Sequence, residues 1–320
     1  MPPTGARGDA RGGALSTERD PDFRCSLASE GRRESIAGSA STVMAFLLVE
    51  HPGPWGVEAL RDARFPEGLA EKLRAHAHHG GVRLLLVRRT GRTRAEDAGR
   101  RIFAVHARAP YSWTETALLD DPRQVLDLDL TALRAGRSLG LEAHDEPLFA
   151  VCTHGRHDAC CAERGRPVAA ALATELPDHA WEVSHMGGDR FAANMMVLPD
   201  GLYYGRLDPQ AALEVARLRL DGQLELDHLR GRTCYPMPAQ AAEIALRRRL
   251  RLTERQEVRL AVRSVEGEVT SATFVVSMGT QEQAFLVRVQ SSPGPPVTLT
   301  CRATRDQPAL QHDILGISPA

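Results

Sequence analysis

Long apolar runs are absent from this chain. No segment reaches the ~18 apolar residues that mark a membrane-crossing helix, and the first residues hold no apolar signal-peptide core. The location this predicts is the cytoplasm, with no membrane partner. A surplus of charge is absent as well: the formal net charge is −1, which gives no basis for nucleic-acid or anionic-lipid binding. Lysine is nearly missing, since Lys72 is the single lysine among 40 basic residues. Arginine is therefore the default cation, and an arginine at any one position says little about phosphate or carboxylate recognition. The P-loop and the dinucleotide fingerprint G-x-G-x-x-G are missing, and the single short G-x-S-x-G match, Gly136-Arg-Ser-Leu-Gly140, is by itself no support for hydrolysis. Cys-x-x-Cys is missing too, which argues against ordinary thioredoxin chemistry.

What is present reads as an α/β protein in several parts. At 320 residues, with 42% apolar and 25% charged residues, the chain is long enough for two or three domains. Residues 1–22, rich in Gly, Arg, Ser and Asp, read as a disordered leader. Residues 23–140 read as an α/β subdomain. In it the strand Val43–Glu50 is stopped by His51-Pro-Gly-Pro-Trp-Gly56, a helical pattern covers 66–77, and strands follow at Val82–Arg88 and Arg101–His106. Residues 141–222 read as a second α/β unit. A strand Leu148–Cys152 enters a polar loop, and a helix Arg166–Leu176 has Pro167 in its first turn. A strand Ala180–Ser184, a hairpin around Pro199-Asp200-Gly201 and a helix over 209–220 complete it. Residues 223–320 read as a small α+β domain, with a helix Ala239–Leu250 and antiparallel strands Val258–Val262, Thr270–Ser277, Gln283–Gln290 and Val297–Arg302. No repeat of fixed period stands out.

Three of the six cysteines, Cys152, Cys160 and Cys161, fall within ten residues in a polar stretch. In a reducing compartment such a group points to a metal or to catalysis. Cys25, Cys234 and Cys301 stand alone and read as packing residues. A disulfide between the neighbours Cys160 and Cys161 would be strained, because adjacent Cα atoms lie only about 3.8 Å apart. The informative pattern is Cys152-x8-Cys161, a gap of 23 residues, then His185-Met-Gly-Gly-Asp189. Cys152 ends a strand, Cys161 precedes a helix, and His185 follows the next strand. Strand ends on one edge of an α/β sheet converge, so two loops can offer two ligands each. Gly187 and Gly188 allow positive φ and close backbone approach. Arg190 is a candidate partner of Asp189 or of bound charge. Trp55 reads as a core aromatic closing its turn, and His76, His78 and His79 as a solvated helix end.

The stretches CTHGRHDACCAERGRPVAAAL, WEVSHMGGDRFAANMMVLPDGLYYGRL and, more loosely, VEHPGPWG resemble the sucrase/ferredoxin-like family. The resemblance implies a thioredoxin-like ferredoxin module, preceded here by an α/β subdomain and followed by a small α+β domain. It also implies a [2Fe–2S] cluster bound by two cysteines and two histidines, the latter in His-x-Gly-Gly-His. By position the ligands are Cys152, Cys161 and His185, while Asp189 stands where the second histidine would be. Asp189 itself, Cys160, His154, His157 or a non-protein group are the alternatives for the fourth place. The amides of Gly187 and Gly188 are expected to face the cluster. The expected activity is electron transfer between a donor and an acceptor protein. The competing readings are a structural zinc site, which takes the same ligand types, and a thiol oxidoreductase.

Overall fold

The computed structural model describes residues 20–91 and 99–320. Residues 1–19 of the expected leader lie outside the described residues. The chain opens with a short helix, α1 (Cys25–Gly31), and then builds β1 (Ala45–Glu50), α2 (Ala59–Asp62), α3 (Leu69–Gly80) and β2 (Arg83–Arg88). It continues through β3 (Arg100–His106), β4 (Trp113–Leu119), a 3-10 turn, α4 (Leu130–Arg134) and the two-residue β5 (Glu142–Ala143). A second series follows: β6 (Leu148–Cys152), α5 (Ala159–Glu175), β7 (Ala180–Val183), β8 (Met195–Leu198), β9 (Leu202–Tyr204) and α6 (Pro209–Leu220). The last elements are β10 (Leu229–Arg232), α7 (Met237–Leu250), β11 (Val258–Glu266), β12 (Val269–Met278), β13 (Gln281–Val297) and β14 (Gln307–Pro319).

The fold is mixed α/β. One sheet has ten strands in the order β10-β9-β8-β6-β7-β2-β1-β3-β4-β5, and a separate antiparallel sheet holds β11 to β14 in chain order. The large sheet crosses the boundary expected near residue 140, because β2 pairs with β7. It also takes in β10, from the part expected to begin the last domain.

Reading outward from the β2/β7 junction, the two arms have the same plan. On one side the order is β2-β1-β3-β4, on the other β7-β6-β8-β9. In each arm the first two strands in the chain are parallel and joined through a helix. The third strand is antiparallel to the first, and the fourth to the third. A helix follows each fourth strand and packs on the helix between the parallel pair, α4 on α3 and α6 on α5.

Burial explains the strand sequences. β1 and β6 lie inside the sheet with both faces covered, so AFLLVE and LFAVC read as unbroken apolar runs. One face of each arm packs on its own helices: Leu47 and Val49 meet Leu69 and Leu73 of α3, whereas Phe149 and Val151 meet Val168 and Leu172 of α5. The opposite faces of the two arms share one core that includes Phe46, Phe103, Ala150, Trp181 and Tyr203. The rings of Phe103 and Trp181 lie 5.2 Å apart. Their strands are three places apart in the sheet, roughly 14 Å if it were flat, so the sheet curls back on itself. In the small sheet, β12 alternates buried Thr270, Ala272, Phe274 and Val276 with outward residues, and the inner face packs on Ala239, Ala242 and Leu246 of α7. Cys234 packs in that same core.

Two expected elements differ. The helix expected at Arg166–Leu176 begins at Ala159 instead, and Pro167 sits inside it. Asp158 supplies the reason: its carboxylate accepts from Cys160 N at 2.9 Å and caps the helix seven residues earlier than the proline suggested. The strand expected at Val297–Arg302 does not continue past Val297. The Cys301 amide donates to Asp158 Oδ2 at 2.7 Å rather than to a strand. The fourth strand of the sheet is β14.

Candidate metal centre

β2 and β7 run antiparallel and overlap only at their C-terminal ends, through Val87 opposite Val183 and Arg88 opposite Glu182. The loops that leave β1, β6 and β7 therefore meet in one place. From the β1 side comes His51-Pro-Gly-Pro-Trp-Gly56. Trp55 is buried, its indole donates to His51 O at 3.2 Å, and the Arg88 guanidinium lies over its ring. Its ring meets His154 edge-on at 5.9 Å.

From the β6 side come Cys152 and the first turn of α5. The helix closes on the strand because residue 165 is glycine; a Cβ there would run into the carbonyl oxygen of Cys152. This packing brings Cys161 beside Cys152. The closeness of the two thiols holds Cys152 well below the ordinary thiol range and pushes Cys161 above it. Both thiols are buried.

From β7 comes the loop with His185. Met186 plugs the shared core, while Gly187 and Gly188 take φ of 101° and 83°. Only glycine holds such angles without strain. Arg230, fully buried, braces this loop from behind: it donates to Gly187 O at 3.0 Å, to Asn194 Oδ1 at 2.8 Å and to Ser39 O at 2.6 Å. Asn194 Nδ2 in turn donates to Gly188 O at 2.8 Å. Burial pulls the Arg230 pKa down to about 10.

The ligand atoms of Cys152, Cys161 and His185 lie within 4.8 Å of one another, as do those of His157, His185 and Asp189. Cys161 Sγ is 3.3 Å from Asp189 Oδ1. His185 Nδ1 lies 2.8 Å from the same oxygen, yet it is buried without a well-aligned hydrogen bond. Burial lowers the His185 pKa, but Asp189 and Cys152 outweigh it and lift the imidazole to about 9. Burial likewise pushes Asp189 up, and His185 with its neighbours His157 and Cys161 overcomes this to hold the carboxyl low. Donor atoms that converge without pairing well are what a bound cation would align.

The other expected residues divide. His157 joins the group: its ring stacks on His185 at 3.7 Å, and Nε2 is 3.9 Å from Asp189 Oδ2. His154 does not offer a free nitrogen. Its Nδ1 accepts from His185 N at 3.2 Å and its Nε2 contacts Gly56 O at 2.7 Å, so it positions the His185 backbone instead. Arg190 turns away, pairing with Glu34 at 2.7 Å and covering Phe191. Cys160 also points away, towards Cys25 and Cys301. The bracing by Arg230 was not read from the sequence, since nothing near Leu229–Arg232 marks an arginine aimed at a loop more than forty residues earlier.

Residues 36–231 match the sucrase/ferredoxin-like family, a span of more than half the 320-residue chain. The chain belongs to that family. The matched span contains both arms of the large sheet from β1 onward and every residue of the site just described. No curated protein and no solved structure was found to match the chain. Among the described residues no helix of this family member is long and apolar enough to cross a membrane.

Proposed function

We propose that the protein is an electron carrier whose β6–α5–β7 unit binds a [2Fe–2S] cluster through Cys152, Cys161, His185 and Asp189. The observation that carries this reading is the convergence of two thiols, an imidazole and a carboxylate from two loops, with His185 Nδ1 buried and unaligned. The donor set suits the group, because iron accepts thiolate and imidazole together, and a carboxylate can complete the set. When bound, such a cluster takes up and gives back one electron. The chain supplies the rest. Cys161 and His185 beside it favour the Cys152 thiolate before any metal arrives. Gly187 and Gly188 keep the backbone close to the ligands, and Arg230 and His154 hold the His185 loop in place. The His185 side chain is 25% exposed and borders a surface cavity of about 150 Å³ with His157, which gives electrons a short way out to a partner protein.

We also read the second arm as thioredoxin-like. The order β9-β8-β6-β7, with β8 antiparallel to its neighbours and a helix between the parallel pair, supports that reading. A structural zinc ion is the second reading, favoured by the compactness of Cys152, Cys161 and His185, all within 4.8 Å. Anaerobic purification followed by iron, sulfide and zinc analysis separates the two. The cluster reading expects a red-brown protein that bleaches on reduction, with two irons and two sulfides per chain as the family resemblance implies. A colourless protein whose Cys152→Ser variant loses zinc would overturn it.

A further inference from the structure

Cys25, Cys160 and Cys301 come from the start of α1, the first turn of α5 and the β13–β14 loop, yet their thiols meet. The Sγ separations are 3.7 Å for Cys25 and Cys160, 3.4 Å for Cys160 and Cys301, and 3.6 Å for Cys25 and Cys301. The Asp158 carboxylate closes the group, with its oxygens 3.7 and 3.8 Å from Cys25 Sγ. Four donor atoms, one from each residue, lie within 4.8 Å of one another. Cys25, Cys160 and Asp158 are buried, and Cys301 is partly exposed.

We propose that Cys25, Cys160, Cys301 and Asp158 form a second metal site, which binds one Zn²⁺ in a closed tetrahedral shell. Four protein ligands with no open position are the mark of a structural rather than a catalytic zinc. Distances decide for a single ion. Zinc–thiolate bonds of about 2.3 Å at tetrahedral angles put sulfurs roughly 3.8 Å apart, within a few tenths of an ångström of the separations here. An iron–sulfur cluster, with its thiolates on different irons, needs them wider.

The surroundings fit bound thiolates. Ser26 Oγ donates to Cys160 Sγ at 3.3 Å, and Cys25 N donates to Cys301 Sγ at 3.4 Å. Asp158 is oriented by the amides of Cys160 and Cys301, one to each oxygen, and each oxygen keeps a lone pair for the metal. Zinc binding releases the three thiol protons to solvent and leaves the ion bound to three thiolates and one carboxylate. A surface cavity of about 210 Å³ lined by Asp20, Phe23, Thr298 and Cys301 gives the ion access.

The ion would tie together segments 276 residues apart and fix the first turn of α5, whose next residue is Cys161. The inference does not depend on the identity of the cofactor at Cys152 and Cys161.

The test uses the full chain carrying Cys152→Ser and Cys161→Ser, so that metal bound through those thiols no longer contributes. The expected result is one zinc per chain, lost when Cys301→Ser is added. Cobalt(II) in place of zinc should give thiolate-to-metal charge transfer and the intense ligand-field bands of a tetrahedral site. Where that background does not fold, Cys301→Ser alone in the otherwise intact chain should lose one zinc and keep its visible spectrum. Unchanged zinc in the Cys301 variant, iron in place of zinc at these residues, only weak octahedral cobalt bands, or a disulfide among the three cysteines would each overturn the proposal.

Discussion

The two arms of the large sheet follow one path and carry different chemistry. Each has a parallel pair joined through a helix, then two antiparallel strands and a second helix. After β1 the chain turns through His51-Pro-Gly-Pro-Trp-Gly56, which offers a buried aromatic and backbone carbonyls. After β6, at the matching place, it carries Cys152, His154, His157 and Cys161. Because the arms meet at the C-terminal ends of β2 and β7, the first arm walls the site that the second arm supplies. The shared path makes the strand ends converge, and the loop residues decide what that convergence does.

Removing ligands from the second arm should have the largest effect. Cys152→Ser and Cys161→Ser are each expected to abolish bound iron and visible absorption, whereas Trp55→Phe in the first arm should keep both. If Trp55→Phe alone bleached the protein, the division between wall and ligand would fail.

Glycine substitution sharpens the same contrast through stability. Gly188 has φ of 83°, and a Cβ there would overlap the buried Arg230 guanidinium. Gly188→Ala should cost about 3 kcal/mol, from the left-handed backbone and the overpacking together. Gly68 in the first arm has φ of 70° but opens on empty space, so Gly68→Ala should cost only about 1 kcal/mol. Chemical denaturation of the two variants measures the difference, and equal losses would mean that Arg230 does not brace the ligand loop.

Asp189 offers a subtler test. Asp189→His should keep the cluster and raise its potential, because a neutral ligand no longer stabilises the oxidised state. Asp189→Ala should weaken or lose it. With His185 as the one imidazole ligand, the potential should fall as pH rises by no more than about 59 mV per unit, since reduction raises the imidazole pKa. Asp189→His should steepen that slope, and redox titration against pH reads it. The smallest effect is expected at Arg190. Its ion pair with Glu34 lies away from the ligands, so Arg190→Gln should cost about 1 kcal/mol and leave the potential unchanged.

How much of this was legible in the sequence followed from distance along the chain. Cys152, Cys161, His185 and Asp189 sit in two loops of one strand–helix–strand unit, where spacing alone brings them together. Cys25 and Cys301 read as packing residues because their partner lies in neither neighbourhood; only the folded chain joins them to Cys160. The direction of Cys160 was hidden for another reason: adjacent side chains on a helix diverge by about 100°, so Cys160 and Cys161 serve different groups. The twofold plan of the sheet left no repeat in the residues. The topology tolerates any apolar strand, and VEHPGPWG and CTHGRHDACC share no pattern. The start of α5 was a contest between two signals, a capping Asp158 and a first-turn Pro167. The cap prevailed, although a proline inside a helix costs about 3 kcal/mol.

The most direct test is pulsed EPR on the dithionite-reduced protein, prepared with and without ¹⁵N-labelled histidine. The account predicts a [2Fe–2S] signal with one strongly coupled histidine nitrogen, from His185, and two such nitrogens in Asp189→His. A reduced signal without any coupled histidine nitrogen, or no cluster signal in iron-replete protein, would contradict it.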